Sequence, residues 1–186
     1  MDKVFKVIII GCGRVAAKHI KAIKKLKDRL ELEALVDVSD DAPLKLLEAS
    51  GLSDEAKKKV KIFKDYKEAI DTVKPDIVAV TVPSGLHFRI AEYGLNNGCN
   101  LLLEKPMTMS SEESRKIYEL SNSTGKKIAM GHIYRYFPIV KYLREDIVNG
   151  RFGKITHGTV FVRWGHGEDY YQSEDERAEV DASTGL

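Results

Sequence analysis

The chain has 186 residues, of which 43% are hydrophobic and 31% are charged, and its formal net charge is +2. This length suits one domain, or one domain and part of another, with the composition of an ordinary globular protein. The small net charge gives no general basic field, so we expect no nucleic-acid partner. The apolar run Val4–Ile10 is too short for a membrane span or a signal peptide, so we expect no membrane association.

Short apolar strands and amphipathic helices alternate along the chain. The predicted strands are Val4–Ile10, Leu32–Val38, Val60–Phe63, Ile77–Val82, Asn100–Leu103, Lys127–Met130 and Ile155–Trp164. The predicted helices are Arg14–Leu26, one that is capped by Asp40 or Asp41 and runs to about Ser50, Asp65–Val73, Gly85–Asn96, Ser110–Ser123 and Pro138–Asn149. This alternation predicts an α/β fold, a doubly wound parallel Rossmann sheet with helices on both faces.

The first strand runs directly into a glycine-rich loop, Gly11-Cys12-Gly13-Arg14-Val15-Ala16. In this GxGxxA pattern Gly11 allows a tight turn, Gly13 lets a pyrophosphate approach the backbone, and Ala16 lets the helix pack closely on the strand. The N-terminus of the following helix then offers free N–H groups to the phosphates. The loop therefore predicts a dinucleotide site, although a pair of turn glycines can also occur in an α/β protein that binds nothing.

An acidic residue, Asp37, lies at the end of the second predicted strand, where the ribose hydroxyls of the adenosine are bound in this fold. Its carboxylate would repel a 2′-phosphate, and Asp40 and Asp41 add negative charge. No arginine or lysine occurs within the seven residues that follow it. The sequence therefore favours NAD over NADP as the cofactor.

Three further segments lie at the ends of the fourth, fifth and sixth strands, at the edge of the sheet where ligands bind in doubly wound folds. They are Thr81-Val82-Pro83-Ser84-Gly85-Leu86-His87, Glu104-Lys105-Pro106 and Gly131-His132-Ile133-Tyr134-Arg135-Tyr136-Phe137-Pro138. Lys105 could exchange a proton with a substrate hydroxyl, and Arg135 could hold a hydroxyl-rich or anionic substrate. The alternatives are a surface turn for Lys105, a helix residue facing solvent or a neighbour for His87, and a surface ion pair for Arg135.

The glycine loop, the TxPSxxH segment, the Glu-Lys-Pro tripeptide and the Arg-Tyr-Phe-Pro segment occur in this order. The combination resembles the Gfo/Idh/MocA oxidoreductase family over roughly Lys6–Tyr171. Members of this family are NAD(P)-dependent dehydrogenases of sugars and sugar nucleotides. The resemblance implies an NAD-dependent oxidoreductase that oxidises a hydroxyl of a sugar, polyol or nucleotide-sugar, and it makes a homo-oligomer plausible.

The resemblance also implies roles for individual residues. Lys105 would be the catalytic residue, and it would contact the substrate together with Arg135 and Tyr136. The implied cofactor-binding residues are Gly11, Cys12, Gly13, Arg14, Val15, Asp37, Thr81, Pro83, Ser84, His87, Glu104 and Lys105. The family often has asparagine where this chain has Ser84. No metal-binding residues are implied, and Cys12 and Cys99 lie in no cysteine–histidine cluster; such free thiols suit a cytoplasmic location.

We expect residues 1–133 to form the NAD-binding domain and residues 134–186 to begin an α+β substrate domain. Family members are usually longer, and their second domain carries a DxGxH-like motif with a catalytic histidine. His157 and His166 do not match that motif, so we expect the second domain to be incomplete. Two other hypotheses stay open: an NAD-binding module or fragment without catalysis, and a Rossmann methyltransferase that binds S-adenosylmethionine, which Ala16 and the Glu-Lys-Pro tripeptide disfavour.

Overall fold

A computed structural model describes residues 3–163 and residue 165. These residues divide into two compact units, the first ending at His132 and the second beginning at Ile133. The glycine loop, the second strand and the fourth to sixth strands all lie in the first unit. Trp164 and residues 166–186 lie outside the described residues.

The first unit contains one sheet of six parallel strands in the order β3-β2-β1-β4-β5-β6. The strands are β1 (Phe5–Ile10), β2 (Leu30–Val36), β3 (Lys61–Phe63), β4 (Ile77–Val80), β5 (Asn100–Leu103) and β6 (Ile128–Met130). The order reverses between β1 and β4, and this is the switch point at which ligands bind in doubly wound sheets. The predicted α/β Rossmann fold is confirmed.

Six helices connect or flank these strands, and a seventh lies in the second unit. They are α1 (Ala16–Lys25), α2 (Asp41–Ala49), α3 (Asp54–Lys59), α4 (Tyr66–Val73), α5 (His87–Asn96), α6 (Ser111–Thr124) and α7 (Pro138–Val148). The side chains of Ser53, Asp65 and Ser110 accept hydrogen bonds from the first turns of α3, α4 and α6. These caps satisfy backbone N–H groups that a helix leaves without an internal partner.

Two apolar cores cover the two faces of the sheet. Ile8 and Ile10 of β1 belong to the core under α4, α5 and α6, whereas Val7 and Ile9 belong to the core under α1 and α2. Successive side chains of a strand point to opposite faces, so the part of a central strand that is buried on both sides must be apolar. This is why Val7–Ile10, the buried part of β1, lacks a polar–apolar alternation.

Two local predictions differ from the structure. The helix α3 was not predicted, because it buries none of its residues and so has no apolar periodicity to detect. At α2 neither acidic residue caps the helix as predicted: Asp40 at its N-cap makes no side-chain capping bond, and Ser39 Oγ instead accepts a hydrogen bond from the Ala42 N–H.

The predicted last strand is wrong over its described part. Residues 155–163 contain no strand, and Trp164 lies outside the described residues. A strand requires a neighbour that accepts and donates its backbone hydrogen bonds. The described residues of the second unit provide no such neighbour, since their regular structure consists of α7 and the short 3₁₀ helix Ile133–Tyr136. In residues 3–163, no helix has the length and apolar character needed to cross a membrane.

Candidate active site

The glycine loop begins at Gly11, where the backbone of β1 passes close to the end of β4. Gly11 has φ of +93°, and a Cβ at this position would lie 2.7 Å from both the carbonyl carbon and the carbonyl oxygen of Thr81. Its N–H donates a 2.8 Å hydrogen bond to the Val36 carbonyl. Both the conformation and the contact with a neighbouring backbone therefore require glycine here.

The second loop glycine, Gly13, has a different role. A Cβ at Gly13 would meet no atom within 4 Å, and its φ is not positive, so the fold itself does not require glycine at this position. Ala16, in contrast, is fully buried, and this lets α1 begin close to the sheet. The open space at Gly13 beside the first turn of α1 fits the approach of a pyrophosphate to the backbone.

Asp37 ties the end of β2 to the glycine loop. Its Oδ2 accepts a 2.6 Å hydrogen bond from the Cys12 N–H, and its Oδ1 accepts a 2.9 Å bond from the Ser39 N–H. Each carboxylate oxygen keeps a further lone pair. The half-buried carboxylate is therefore fixed by the backbone and remains able to accept hydrogen bonds from ribose hydroxyls.

Cys12 is buried beneath this loop, and its thiol lies 3.7 Å from the Val36 carbonyl oxygen. Burial, followed by the negative charge of Asp37, raises the pKa of the Cys12 thiol to about 12. The side chain therefore stays a neutral thiol at physiological pH. Its backbone N–H contributes to the site through Asp37, while its side chain packs in the core.

The end of β3 brings a lysine beside the acidic segment that follows β2. The Asp37 N–H donates a 3.1 Å hydrogen bond to the Phe63 carbonyl, and Lys64 follows Phe63 in the chain. Lys64 Nζ lies 2.6 Å from Asp40 Oδ1. Lys64 is not among the residues that closely follow Asp37 in the sequence. It becomes a neighbour of this segment because β2 and β3 are paired.

Thr81 joins the end of β4 to the glycine loop. Its N–H donates to the Ile10 carbonyl at 2.8 Å, and its hydroxyl donates to the Gly11 carbonyl at 2.6 Å. The exposed Pro83 and the half-buried Ser84 follow, with Ser84 opening a 3₁₀ helix, Ser84–Leu86. The turn after β4 thus lies at the same edge of the sheet as the glycine loop, and it contains Thr81, Pro83 and Ser84.

The imidazole of His87 connects two turns of the site. His87 is only 1% exposed; its Nδ1 lies 2.8 Å from the Pro106 carbonyl oxygen and its Nε2 lies 3.0 Å from the Val82 carbonyl oxygen. Both ring nitrogens are engaged with the backbone, which makes the ring a brace between the turn after β4 and the turn after β5.

Glu104 is held between α1 and the end of β6. His19 Nε2 lies 2.9 Å from Glu104 Oε1, and a Cβ at Gly131 would lie 2.7 Å from Glu104 Oε2. Because Gly131 has no side chain, the Glu104 carboxylate can occupy this space. The sequence offered no signal for His19, because its partner is 85 residues away along the chain.

Lys105 follows β5 at the carboxyl edge of the sheet, and its side chain is exposed. The Lys105–Pro106 peptide bond is cis. Within residues 3–163, no hydrogen bond or ion pair involves the Lys105 side chain. Its amine is thus available to a ligand, beside a turn whose backbone is held by His87.

The remaining predicted residues occupy two places. Arg14 and Val15 lie exposed at the start of α1, in the first unit. Arg135 and Tyr136 lie in the second unit, within the 3₁₀ helix Ile133–Tyr136, and both are exposed. The structure thus brings the predicted cofactor residues to one edge of the sheet, and it gives Arg135 and Tyr136 a separate compact unit.

Comparison with known proteins identifies this arrangement. Residues 5–132 match the family model described as an oxidoreductase family with an NAD-binding Rossmann fold. The chain belongs to the Gfo/Idh/MocA oxidoreductase family. The predicted family and its cofactor, NAD, are both confirmed by this match.

Relatives in the Gfo/Idh/MocA family are sugar and inositol dehydrogenases. D-glucoside 3-dehydrogenase of Escherichia coli (strain K12) is 31% identical over 81% of this chain and 41% of its own length. Inositol 2-dehydrogenase of Corynebacterium glutamicum (strain ATCC 13032) is 28% identical over 93% of this chain and 50% of its own length. The chain thus spans half or less of the length of these two relatives.

The fold is shared with a solved member of the family. The crystal structure of the WlbA dehydrogenase from Bordetella pertussis, in complex with NADH and UDP-GlcNAcA, is 26% identical to this chain and superposes with a TM-score of 0.83. The similarity covers 94% of this chain and 50% of the other.

The two loop glycines give contrasting expectations. Gly11→Ala should lower the free energy of unfolding by about 2–4 kcal/mol, because the residue is held at positive φ against the Thr81 backbone. Gly13→Ala should leave stability almost unchanged and weaken NAD binding about tenfold or more, because its Cβ would occupy the space for the pyrophosphate. Urea unfolding and calorimetric titration with NAD measure the two effects; equal loss of stability in both variants would contradict this assignment.

The brace formed by His87 predicts a loss of stability. His87→Leu fills the buried position with an apolar side chain and leaves the Val82 and Pro106 carbonyls without the ring nitrogens, so the free energy of unfolding should fall by about 2–4 kcal/mol. The control is His157→Leu, since His157 is exposed and its only hydrogen bond among the described residues joins its Nε2 to the Thr159 hydroxyl. This substitution should change stability by less than about 0.5 kcal/mol. Similar urea midpoints for both variants would rule out the brace.

Proposed function

We propose that the protein is an NAD-dependent oxidoreductase that oxidises a hydroxyl of a sugar, polyol or nucleotide-sugar by hydride transfer to the nicotinamide. The observation that carries this proposal is the exposed Lys105 after β5, on the sheet edge that also holds the glycine loop and Asp37. The named relatives, a D-glucoside 3-dehydrogenase and inositol 2-dehydrogenases, support this substrate class.

The cofactor-binding roles follow the positions of the residues along this edge. The glycine loop, residues 11–15, would lie against the pyrophosphate, and Gly13 would leave room for it. The N–H groups of Gly11 and Cys12 would shape the loop, since they donate to Val36 and Asp37. Asp37 would accept hydrogen bonds from the adenosine ribose. Thr81, Pro83, Ser84 and His87 would line the cofactor between its two halves, with His87 acting mainly by fixing the turns. Glu104 and Lys105 would lie near the nicotinamide.

Lys105 would manage the proton of the reacting hydroxyl. Bound NAD supplies the hydride acceptor for the carbon that is oxidised. As an unprotonated amine, Lys105 accepts the hydroxyl proton while the carbonyl forms; as an ammonium, it returns that proton in the reverse direction. The brace at Pro106 holds the backbone next to this amine, and positioning of this kind lowers the cost of reaching the reactive geometry.

We propose that residues of the second unit bind the substrate. Residues 134–186 would begin the substrate domain and residues 1–133 would form the NAD-binding domain. Arg135 supplies guanidinium donors that suit hydroxyl-rich or anionic groups, and Tyr136, which is 67% exposed, offers a ring face and a hydroxyl. Sugars are recognised by such combinations of polar donors and aromatic surface.

We further propose that the protein is a cytoplasmic homo-oligomer. Exposed apolar side chains of α7, such as Ile139 and Val148, each 71% exposed, support self-association, since such clusters mark interaction surfaces. The two buried free cysteines are consistent with a reducing compartment.

A second candidate function is an NAD-binding module without catalysis. Among the described residues the only sheet is the six-stranded one that carries the cofactor edge, so a sheet for the substrate is not among them. This alternative shares the NAD site with the first proposal and differs from it in turnover alone.

Lys105→Ala separates the catalytic role from cofactor binding. The variant should bind NAD within about twofold of the unchanged protein in calorimetry, while its turnover should fall by about a hundredfold or more, as expected for loss of a general acid–base group. The assay follows NADH formation with D-glucosides, inositols and UDP-N-acetylhexosamines. The control is Lys58→Ala, an exposed lysine of α3, which should change neither quantity.

The outcomes distinguish the two candidates. NAD binding with no turnover of any substrate by the unchanged protein would favour the non-catalytic module. Undiminished turnover in Lys105→Ala would refute the role of Lys105, and absence of NAD binding would refute both candidates.

A further inference from the structure

We propose that Asp40 and Lys64 form a selectivity device of the cofactor site: Asp40 holds Lys64, a cation that would otherwise bind the 2′-phosphate of NADP. This inference rests on the proposed role of Asp37 at the adenosine ribose. The inference goes beyond that role, because the preference for NAD then also depends on the ion pair between Asp40 and Lys64, the residue that follows β3.

Strand pairing places the lysine next to the ribose-binding carboxylate. β2 and β3 are paired up to Val36 and Phe63, and the Asp37 N–H donates to the Phe63 carbonyl at 3.1 Å. Lys64 is therefore the first residue beyond β3 on the side of the sheet edge where Asp37 lies. The ribose that Asp37 would bind is the one that carries the 2′-phosphate of NADP, which makes Lys64 the candidate partner for that phosphate.

Asp40 is the ion-pair partner of Lys64 when no 2′-phosphate is bound. Lys64 Nζ lies 2.6 Å from Asp40 Oδ1, and the two side chains are 63% and 79% exposed. An exposed pair of this kind is weak and is screened by salt, so a phosphate dianion could compete for the lysine. It must then displace the Asp40 carboxylate and approach the carboxylate of Asp37, and both requirements oppose NADP.

The adjacent acid provides a matched comparison. Asp41 has the same charge and lies one residue further along, but its partner is Lys45 of its own helix, at 3.3 Å. Replacing Asp41 by asparagine removes one negative charge from the same segment and leaves the pair between Asp40 and Lys64 in place. A general effect of charge and a specific release of Lys64 can therefore be told apart.

The experiment compares unchanged protein, Asp40→Asn, Asp41→Asn, Lys64→Met and the double variant Asp40→Asn/Lys64→Met. The dissociation constant of NADH is measured by its fluorescence, and that of NADPH by displacement of NADH. Asp40→Asn should tighten NADPH binding about fivefold, the upper range for an exposed ion pair, and leave NADH within about twofold. Adding Lys64→Met should abolish this gain, and Asp41→Asn should produce less than half of it.

Salt dependence gives a second readout that a change in folding would not produce. The gain in Asp40→Asn should shrink as ionic strength rises from about 50 to 500 mM, because the Debye length falls over this range. Equal gains in Asp40→Asn and Asp41→Asn, a gain that survives Lys64→Met, or no gain in NADPH binding in any variant would each overturn the proposal. Failure of the unchanged protein to bind NADH would instead refute the proposed cofactor site, and the selectivity device with it.

Discussion

Parallel pairing of all six strands is the constraint on which the site depends. Because every strand of this sheet runs in the same direction, the carboxyl ends of β1, β2, β4 and β5 meet at one edge. The residues that directly follow these strands are Gly11, Asp37, Thr81 and Glu104. The contact between Gly11 and the backbone of Thr81 shows how closely these ends approach. A side chain at Gly11 would separate β1 from β4 at the switch point, where the fold has its ligand-binding crevice.

The edge of the sheet is stiffened mainly by bonds to backbone groups. Asp37 holds the Cys12 N–H, Thr81 holds the Gly11 carbonyl, and His87 lies between two turns. These bonds fix the loops before any ligand binds, so ligand binding would cost less conformational entropy. Lys105 differs from them: its amine is exposed and without a described partner, beside a turn that the His87 ring holds in position.

Local sequence predicted the elements whose burial requires a strong pattern. The last four residues of β1, Val7–Ile10, are buried on both faces and form a continuous apolar run, and α4 presents an apolar face after a capping aspartate. Where burial is absent, the prediction failed: α3 buries no residue and was missed. The predicted strand Ile155–Trp164 has suitable composition, but its described part, residues 155–163, has no pairing partner in the described residues, and composition alone does not form a strand.

The sequence by itself determined the Rossmann fold and the family to which the chain belongs, and it predicted that the glycine loop and Asp37 follow the first two strands. These features depend on short motifs of neighbouring residues and on a periodic burial pattern. Only the tertiary structure decided that His19 meets Glu104, that His87 is a buried brace, and that Lys64 pairs with Asp40. Each of these contacts joins different elements of the sheet or its helices. Their partners are set by strand order and register, which no local pattern in the chain records.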